Sequence, residues 1–110
     1  MLGPLSSDLE RYMDLLSARQ KLVASNIANV DTPGYLTQDI DFQSEFENAT
    51  GAPRAQTVEG LAIRNDGNNV SIDRESRLLA ENSLRFQVAS SLLRSQIQLV
   101  RNAIKEGSSA

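Results

Sequence analysis

The C-terminal third of the chain carries an apolar residue at every seventh position. The five members of this stripe are Ile72, Leu79, Phe86, Leu93 and Val100. A repeat of seven places these side chains along one face of a helix and is typical of helices that pack along their length. No Pro or Gly interrupts residues 73–105. The pattern predicts one long C-terminal helix over about residues 73–105, ended by Gly107 and capped at its start by Ser71 or Asp73.

A second stripe with the same spacing lies near the N-terminus. Its members are Leu9, Leu16, Val23 and Val30. They predict a helix over about residues 7–30, with Ser6, Ser7 or Asp8 as its N-cap. Thr32 precedes a proline and is therefore pushed out of the α region, so the helix must end near Val30 or Asp31. The residues Thr-Pro-Gly that follow suit a tight turn.

Residues 36–70 differ in kind, because Gly51, Pro53 and Gly60 break any long periodic element. We expect a short helix that begins after Asp41 and runs through Phe46, a brief extended piece over residues 61–64 and a tight turn over residues 65–69. The chain thus divides into residues 1–35, a linker over residues 36–70 and residues 71–110, and its terminal helices together form one domain. The predicted fold is all-α, with a coiled-coil-like helix pair joined by a largely irregular linker.

Two asparagines fall on the predicted helix contacts. Asn26 comes three residues after Val23, and Asn82 comes three residues after Leu79. A buried Asn between helices lowers stability but fixes their register, and we favour that role for Asn26 over simple capping. Asn29 lies closer to the helix end, where binding of free carbonyl oxygens is the simpler interpretation.

The composition excludes several classes of active site. The chain has no Cys and no His, which removes the usual zinc sites, thiol nucleophiles and imidazole triads. The carboxylate pairs Asp39 with Asp41 and Asp73 with Glu75 lack the basic, aromatic or Gly-rich surroundings of a substrate site. We therefore expect no enzyme activity and no cofactor.

Charge and hydropathy limit the partners. The net charge is −3 without clustered basic residues, so nucleic acid is not an expected ligand. No apolar run approaches the roughly 20 residues of a membrane helix, and the N-terminus lacks the pattern of a cleavable signal peptide. Composition alone is also compatible with a cytoplasmic helical adaptor or a secretion chaperone.

Residues 24–35, which read ASNIANVDTPGY, join a helix end to a turn in an unusual combination. We call this segment the signature, because it resembles the N-terminal motif of bacterial flagellar rod and hook axial proteins. The residues that carry the resemblance are Ala24, Asn26, Ile27, Ala28, Asn29, Thr32, Pro33, Gly34 and Tyr35. Ser25 replaces the more usual Asn. A generic adaptor has no reason to contain this motif.

Two further blocks resemble the proximal rod subunits within that family. Residues 69–75 resemble their entry into the last helix, although Ser71 replaces a frequent Asp, and residues 80–87 resemble the block that follows. The short length of the chain also fits a proximal rod subunit, because hook and distal rod proteins carry large inserted domains. Another proximal rod subunit of the same family remains the alternative.

The resemblance implies a structural role. Such subunits polymerise through their terminal helices into the hollow drive shaft of the basal body, in the periplasm. The implied partners are other copies of the chain, other rod subunits, the membrane-ring adaptor at the rod base and the flagellar type III export apparatus, which carries the unfolded chain. Phe42 and Phe46 resemble a signal that docks on the export gate, but the two rings would equally suit simple packing against the helices.

Overall fold

The computed structural model describes residues 3–48 and 51–109 and confirms the all-α prediction. The elements in chain order are α1 (Pro4–Ala28), β1 (Gln38–Ile40), α2 (Phe42–Glu47), β2 (Ala55–Thr57) and α3 (Ile72–Ser109). The two long terminal helices pack against each other. The segment between them is irregular apart from one turn-and-a-half of helix and two strands of three residues.

Helix α1 begins earlier than predicted. Pro4 occupies the first turn, and Gly3 stands at the N-cap with φ 92° and no side-chain cap. Proline suits this position because its missing N–H has no helical acceptor and its fixed φ matches the helix. The prediction that Ser6, Ser7 or Asp8 caps the helix was therefore wrong. The helix ends at Ala28, two residues before the predicted end.

Helix α3 begins as predicted but ends later. The Ser71 hydroxyl accepts a hydrogen bond of 3.3 Å from the backbone N–H of Arg74. The helix continues through Gly107 to Ser109, so the prediction that Gly107 ends it was wrong. One glycine costs a helix about 1 kcal/mol, which does not stop a helix of 38 residues.

The two long helices run antiparallel. Near the end of α1, Asn26 contacts Glu75, and two turns earlier Gln20 contacts Asn82. Counting along both helices from these pairs places Pro4 beside about residue 97. Residues 97–109 of α3 therefore extend past the start of α1 by about 20 Å. We call this segment the overhang.

The core between the helices contains only part of the predicted stripes. The buried apolar residues of the described chain are Leu15, Leu16, Val23, Ile40, Val70, Leu78 and Ala89. Leu16 and Val23 are buried members of the N-terminal stripe, whereas Leu9 and Val30 are half-buried.

Helix α3 presents a different face to α1 than its stripe predicted. Ile72, Leu79 and Phe86 are exposed, and Leu93 and Val100 are half-buried. The buried positions of α3 are instead Glu75, Leu78, Asn82 and Ala89. Asn82 and Glu75 bind side chains of α1, and the small Ala89 lets the helices approach. In the single chain the stripe of α3 thus lies beside the contact between α3 and α1. The role of this stripe in an assembly stays a prediction.

The middle segment contains a hairpin that the sequence did not reveal. Strands β1 and β2 pair antiparallel, with Gln38 opposite Thr57 and Ile40 opposite Ala55. Strand β2 is fully exposed and polar, so no apolar alternation marked it. The extended piece expected over residues 61–64 forms no strand. The short helix was predicted well, since the Asp41 side chain caps α2 by accepting from the Ser44 N–H at 3.3 Å.

Adjacent leucines test which face of α3 is buried. Leu78 is 8% exposed and Leu79 is 40% exposed. Leu78→Ala should lower the free energy of unfolding of the isolated chain by about 3 kcal/mol, whereas Leu79→Ala should lower it by about 1 kcal/mol or less. Urea unfolding followed by circular dichroism measures both. A larger loss for Leu79→Ala would mean that the stripe faces α1 after all.

Candidate functional site

The signature ends in a turn that is closed by its own hydrogen bonds. The Thr32 N–H donates to the Asn29 carbonyl at 3.0 Å, and the Tyr35 N–H donates to the Thr32 carbonyl at 3.2 Å. Gly34 has φ 75°, a conformation that side chains disfavour. The Asn29 side chain donates to the Ser25 carbonyl at 2.8 Å, as expected for a residue at a helix end.

Asn26 is fully buried at the centre of the site. Its Nδ2 donates to the Gln38 carbonyl at 2.8 Å and to Glu75 Oε1 at 2.7 Å. Its Oδ1 accepts from the Tyr35 hydroxyl at 2.9 Å and from the Gln38 N–H at 3.0 Å. A side-chain amide has two donors and two acceptor positions, so every one of them is used. One side chain thereby joins α1, the signature turn, β1 and α3.

Three residues of the segment that precedes α3 form hydrogen bonds to the signature turn and to the chain beside it. We call Arg64, Asn68 and Asn69 the clasp. The Nδ2 of the buried Asn68 donates to the carbonyls of Asn29 and Thr32, both at 2.9 Å. The guanidinium of Arg64 donates to the Val30 carbonyl and, at 2.7 Å, to Asn68 Oδ1. A cation at this place also suits the negative end of the α1 dipole.

Asn69 and Gly67 complete the contact between clasp and turn. Asn69 Oδ1 accepts from the N–H and the hydroxyl of Thr37 at 2.7 and 2.8 Å. A Cβ added to Gly67 would lie 3.3 Å from the Cα of Gly34, so the two backbones touch. The sequence indicated a tight turn over residues 65–69 but did not reveal its partner. No short-range pattern encodes a contact across more than 30 residues.

A partly buried ionic cluster ties the hairpin to both helices, and sequence reasoning missed it. Asp39 of β1 accepts from Arg19 of α1 at 3.0 and 2.9 Å and from Arg74 of α3 at 2.7 Å. Arg74 also donates to both carboxylate oxygens of Glu75 at 3.0 and 3.3 Å. Two cations and two anions thus balance within the cluster, as buried charges require.

The two acids of this cluster have pKa values that move in opposite directions. Burial acts to raise the pKa of Asp39, but hydrogen bonds from Arg19, the Ile40 N–H and Arg74 outweigh it and hold that pKa below its usual 3.8. Burial raises the pKa of Glu75 above its usual 4.5, and the bonds from Asn26 and Arg74 only partly offset this effect. Asp39 is therefore the anion that the arginines stabilise most.

The aromatic pair of α2 packs on α1. The ring of Tyr12 lies edge-on to Phe42 at 5.4 Å and to Phe46 at 6.2 Å between centroids. Arg11 lies 4.9 Å from the Phe46 centroid. This geometry gives both rings a packing role within the chain and leaves their proposed export role a prediction.

The stripe of α3 borders an open groove. Asn82 donates to Gln20 Oε1 at 3.0 Å and closes the inner side. The groove is lined by Leu16, Ser17, Gln20, Asn82, Ser83, Phe86 and Gln87. No titratable side chain lines it, so the groove offers no group for acid–base chemistry.

Residues 3–48 and 51–109 contain neither a group of metal-binding side chains nor a membrane-spanning helix. No group of three or more acidic side chains there is placed to hold a metal ion. No helix in that part of the chain has both the length and the apolar character to cross a membrane.

Removal of one carboxylate charge tests the ionic cluster. Asp39→Asn should lower the free energy of unfolding at pH 7 by about 3 kcal/mol, because two arginines lose their shared anion. The deficit should persist down to about pH 4 and shrink at lower pH, where the wild-type carboxyl itself takes up a proton as pH falls through its lowered pKa. Urea unfolding at several pH values measures the difference.

Asp41→Asn provides the matched control for this change. Asp41 is exposed two residues further along the chain, and Asn caps a helix as well as Asp does. We expect a change below about 0.5 kcal/mol at every pH. Equal effects of the two substitutions would show that the arginines do not depend on Asp39.

Several known proteins are similar in sequence to this chain over most of its length. A family model described as flagella basal body rod protein matches residues 13–35, which include the signature. The flagellar basal body rod protein FlgB of Escherichia coli (strain K12) is 33% identical over 137 aligned positions, which cover 97% of this chain and 99% of the relative. FlgB of Borrelia hermsii is 30% identical over 92% of this chain and 96% of the relative.

FlgB of Cereibacter sphaeroides is 36% identical, over 83% of this chain and 86% of the relative. These similarities extend far beyond the signature and include the middle segment and α3. They do not favour a cytoplasmic adaptor or a secretion chaperone. The chain belongs to the family of flagellar basal body rod proteins, the structural subunits of the basal-body rod, and its relatives there are FlgB proteins.

Proposed function

We propose that this rod subunit polymerises through its two terminal helices into the hollow shaft of the proximal rod. The observation that carries the proposal is the apolar surface of α3. Phe86, Leu92 and Ile104 are among its large apolar side chains that stay exposed when α1 is in place. Large exposed apolar surfaces mark interaction sites, and each such side chain contributes about 1.5–3 kcal/mol when it is fully buried.

The exposed residues lie on both sides of the contact with α1. On one side are Leu84, Val88 and Leu92, and on the other are Ile72, Leu79 and Phe86. A helix that packs against one neighbour only needs a single apolar face. Helix α3 therefore has surface for further helices on either side, as a subunit in the wall of a tube requires.

The signature and its clasp have a supporting role in this proposal. Asn26 fixes the register of α1 against α3, and the clasp fixes the direction in which the chain leaves α1. The middle segment is then held in one orientation relative to the helix pair. Subunits of a polymer must be alike in shape, and a polar centre with every bond satisfied favours a single arrangement.

Association with other rod components and a place in the basal body follow from the family. We propose in addition that the chain contacts further copies of itself, other rod subunits and the membrane-ring adaptor at the rod base. It reaches the periplasm through the flagellar type III export apparatus. No enzyme activity and no cofactor belong to this role.

A charge placed in the α3 stripe tests polymerisation. Phe86→Asp should leave the helix content of the isolated chain nearly unchanged, because Phe86 is 39% exposed there. In the rod the new carboxylate would be buried without a partner, so the variant should be missing from isolated basal bodies and the cells should not swim. Ser76→Asp adds the same charge at an exposed position of α3 that borders neither the groove nor the surface of Leu84, Val88 and Leu92, and this variant should assemble. Normal motility with Phe86→Asp would refute the proposed surface.

The aromatic pair of α2 has a second proposed role, as a signal that docks on the export gate before folding. Phe42→Ala with Phe46→Ala should then keep the subunit in the cytoplasm. Tyr12→Ala is the control, because it removes the ring against which both pack and preserves the pair itself. We expect this control to be exported. Cell fractionation distinguishes the two roles. Export of the Phe42, Phe46 double variant would show that the rings serve only in packing and not as an export signal.

A further inference from the structure

The turn between Arg64 and Asn68 contains a peptide bond that is chemically prone to rearrange. Asp66 is the only Asp or Asn of the chain that a glycine follows. We propose that Asp66 is a site of isoaspartate formation, that the folded clasp blocks the reaction, and that a chain modified there can no longer close the clasp. The site belongs to the single chain, so it does not require the proposed polymerisation.

Isoaspartate forms through a five-membered succinimide ring. The Gly67 nitrogen attacks Cγ of the protonated Asp66 carboxyl group, an N–Cγ bond forms, and the carboxyl hydroxyl leaves as water with the proton of the nitrogen. Water then opens the ring. Its attack at Cγ restores aspartate, whereas its attack at the backbone carbonyl carbon leaves the chain linked through Cβ and Cγ. The net change is an isomerisation that needs no oxidant or cofactor. Because Gly67 has no Cβ, its nitrogen is the least hindered kind of backbone nucleophile.

Both reacting groups are hydrogen-bonded in the folded chain. The Gly67 N–H donates to the Arg64 carbonyl at 2.9 Å. Asp66 Oδ1 accepts from the Asn68 N–H at 3.0 Å, a side-chain contact typical of turns. Ring closure moves the nitrogen and the carboxyl group together, so these bonds must break first. The reaction therefore proceeds from chains in which this turn has opened.

The signature turn holds the same peptide bond from the other side. The Asp66 carbonyl accepts from the Gly34 N–H at 2.8 Å. A Cβ on Gly67 would lie 3.3 Å from the Gly34 Cα, so the two backbones are in close contact. The Arg64 N–H also donates to the Asn68 carbonyl at 2.8 Å and closes the turn. The bond between Asp66 and Gly67 cannot rotate towards the ring geometry without leaving this contact.

Isoaspartate is incompatible with the closed clasp. It inserts one carbon atom into the backbone, which lengthens the path to Gly67 by about 1.5 Å. The carbonyl to which Gly34 donates becomes a charged carboxylate outside the main chain. Since the two glycines already touch, the added length has no space on that side. Asn68 is then displaced from the carbonyls of Asn29 and Thr32, to which it donates in the folded chain.

Mass spectrometry of the full-length chain tests the site and its protection. The purified chain would be incubated at neutral pH in buffer and in guanidinium chloride, and isoaspartate would be measured in peptides that contain Asp66. We expect it to form at least about tenfold faster in denaturant, because the folded chain reacts only through its open fraction. Asp66→Glu is the control and should remove the signal, since its ring would need six members. Equal rates in both solutions would overturn the protection, and no isoaspartate at Asp66 in denaturant would overturn the site.

A clasp variant tests which contacts protect Asp66. Arg64→Ala keeps every backbone bond of the turn and removes the side-chain bonds to Val30, Asn68 and Val70. Isoaspartate should then form in buffer at least about fivefold faster than in the wild type, and at an unchanged rate in denaturant. Arg54→Ala removes the same charge from a side chain that is 73% exposed and pairs with Glu45, and it should react like the wild type. An unchanged rate for Arg64→Ala in buffer would overturn the role of the clasp.

Hydrogen exchange tests the effect of the modification. Chains aged in denaturant would be refolded, and the aspartate and isoaspartate forms would be separated by chromatography. The N–H groups of Gly34 and Asn69, which donate to Asp66 and Tyr35, should exchange at least about tenfold faster in the isoaspartate form. Amides in the middle of α1 should exchange alike in both forms. Equal protection of Gly34 and Asn69 in the two forms would overturn the loss of the clasp.

Discussion

The fold depends on one side-chain amide that has no unused hydrogen-bonding position. Asn26 binds Gln38 of β1, Tyr35 of the signature turn and Glu75 of α3. An apolar residue here would leave the Glu75 carboxylate and the Gln38 backbone without these bonds in a buried place. A shift of α3 by one residue would break the same bonds. The helix pair is therefore held in register by polar contacts, whereas its aliphatic side chains would tolerate several arrangements.

This division between polar and apolar contacts explains what the sequence could reveal. Periodicity identified both long helices, and local chemistry identified the turn at Pro33 and the cap at Asp41. The same periodicity misplaced the buried face of α3, because Glu75 and Asn82 occupy positions that a hydrophobic pattern cannot assign to a core. The clasp joins residues more than 30 positions apart, and the ionic cluster joins Asp39 to Arg19 and Arg74, which lie 20 and 35 positions away. Their members are ordinary surface residue types, so only the folded chain shows that they meet.

The isolated subunit combines a polar centre whose hydrogen bonds are satisfied with an apolar surface that stays exposed. Around Asn26 the polar groups are buried and paired, and Asp39 is held by two arginines. Along α3 the apolar side chains remain in water. Stability is thus concentrated where the three parts of the chain meet, near the start of α3. The far end of that helix extends beyond the start of α1 and therefore gains little from packing against it.

The contact between the clasp and the signature turn joins the two ends of the middle segment. We call these joined ends the base of the segment. The chain leaves this base after Thr37 and returns to it at Arg64, and Asn69 binds Thr37 across the gap. The loop-closure entropy of a segment with joined ends rises by only about 0.6 kcal/mol for each doubling of its length. Variation in length between these two points is therefore thermodynamically inexpensive. Insertions or deletions in this segment can change the surface that it presents while the register of the helices stays the same.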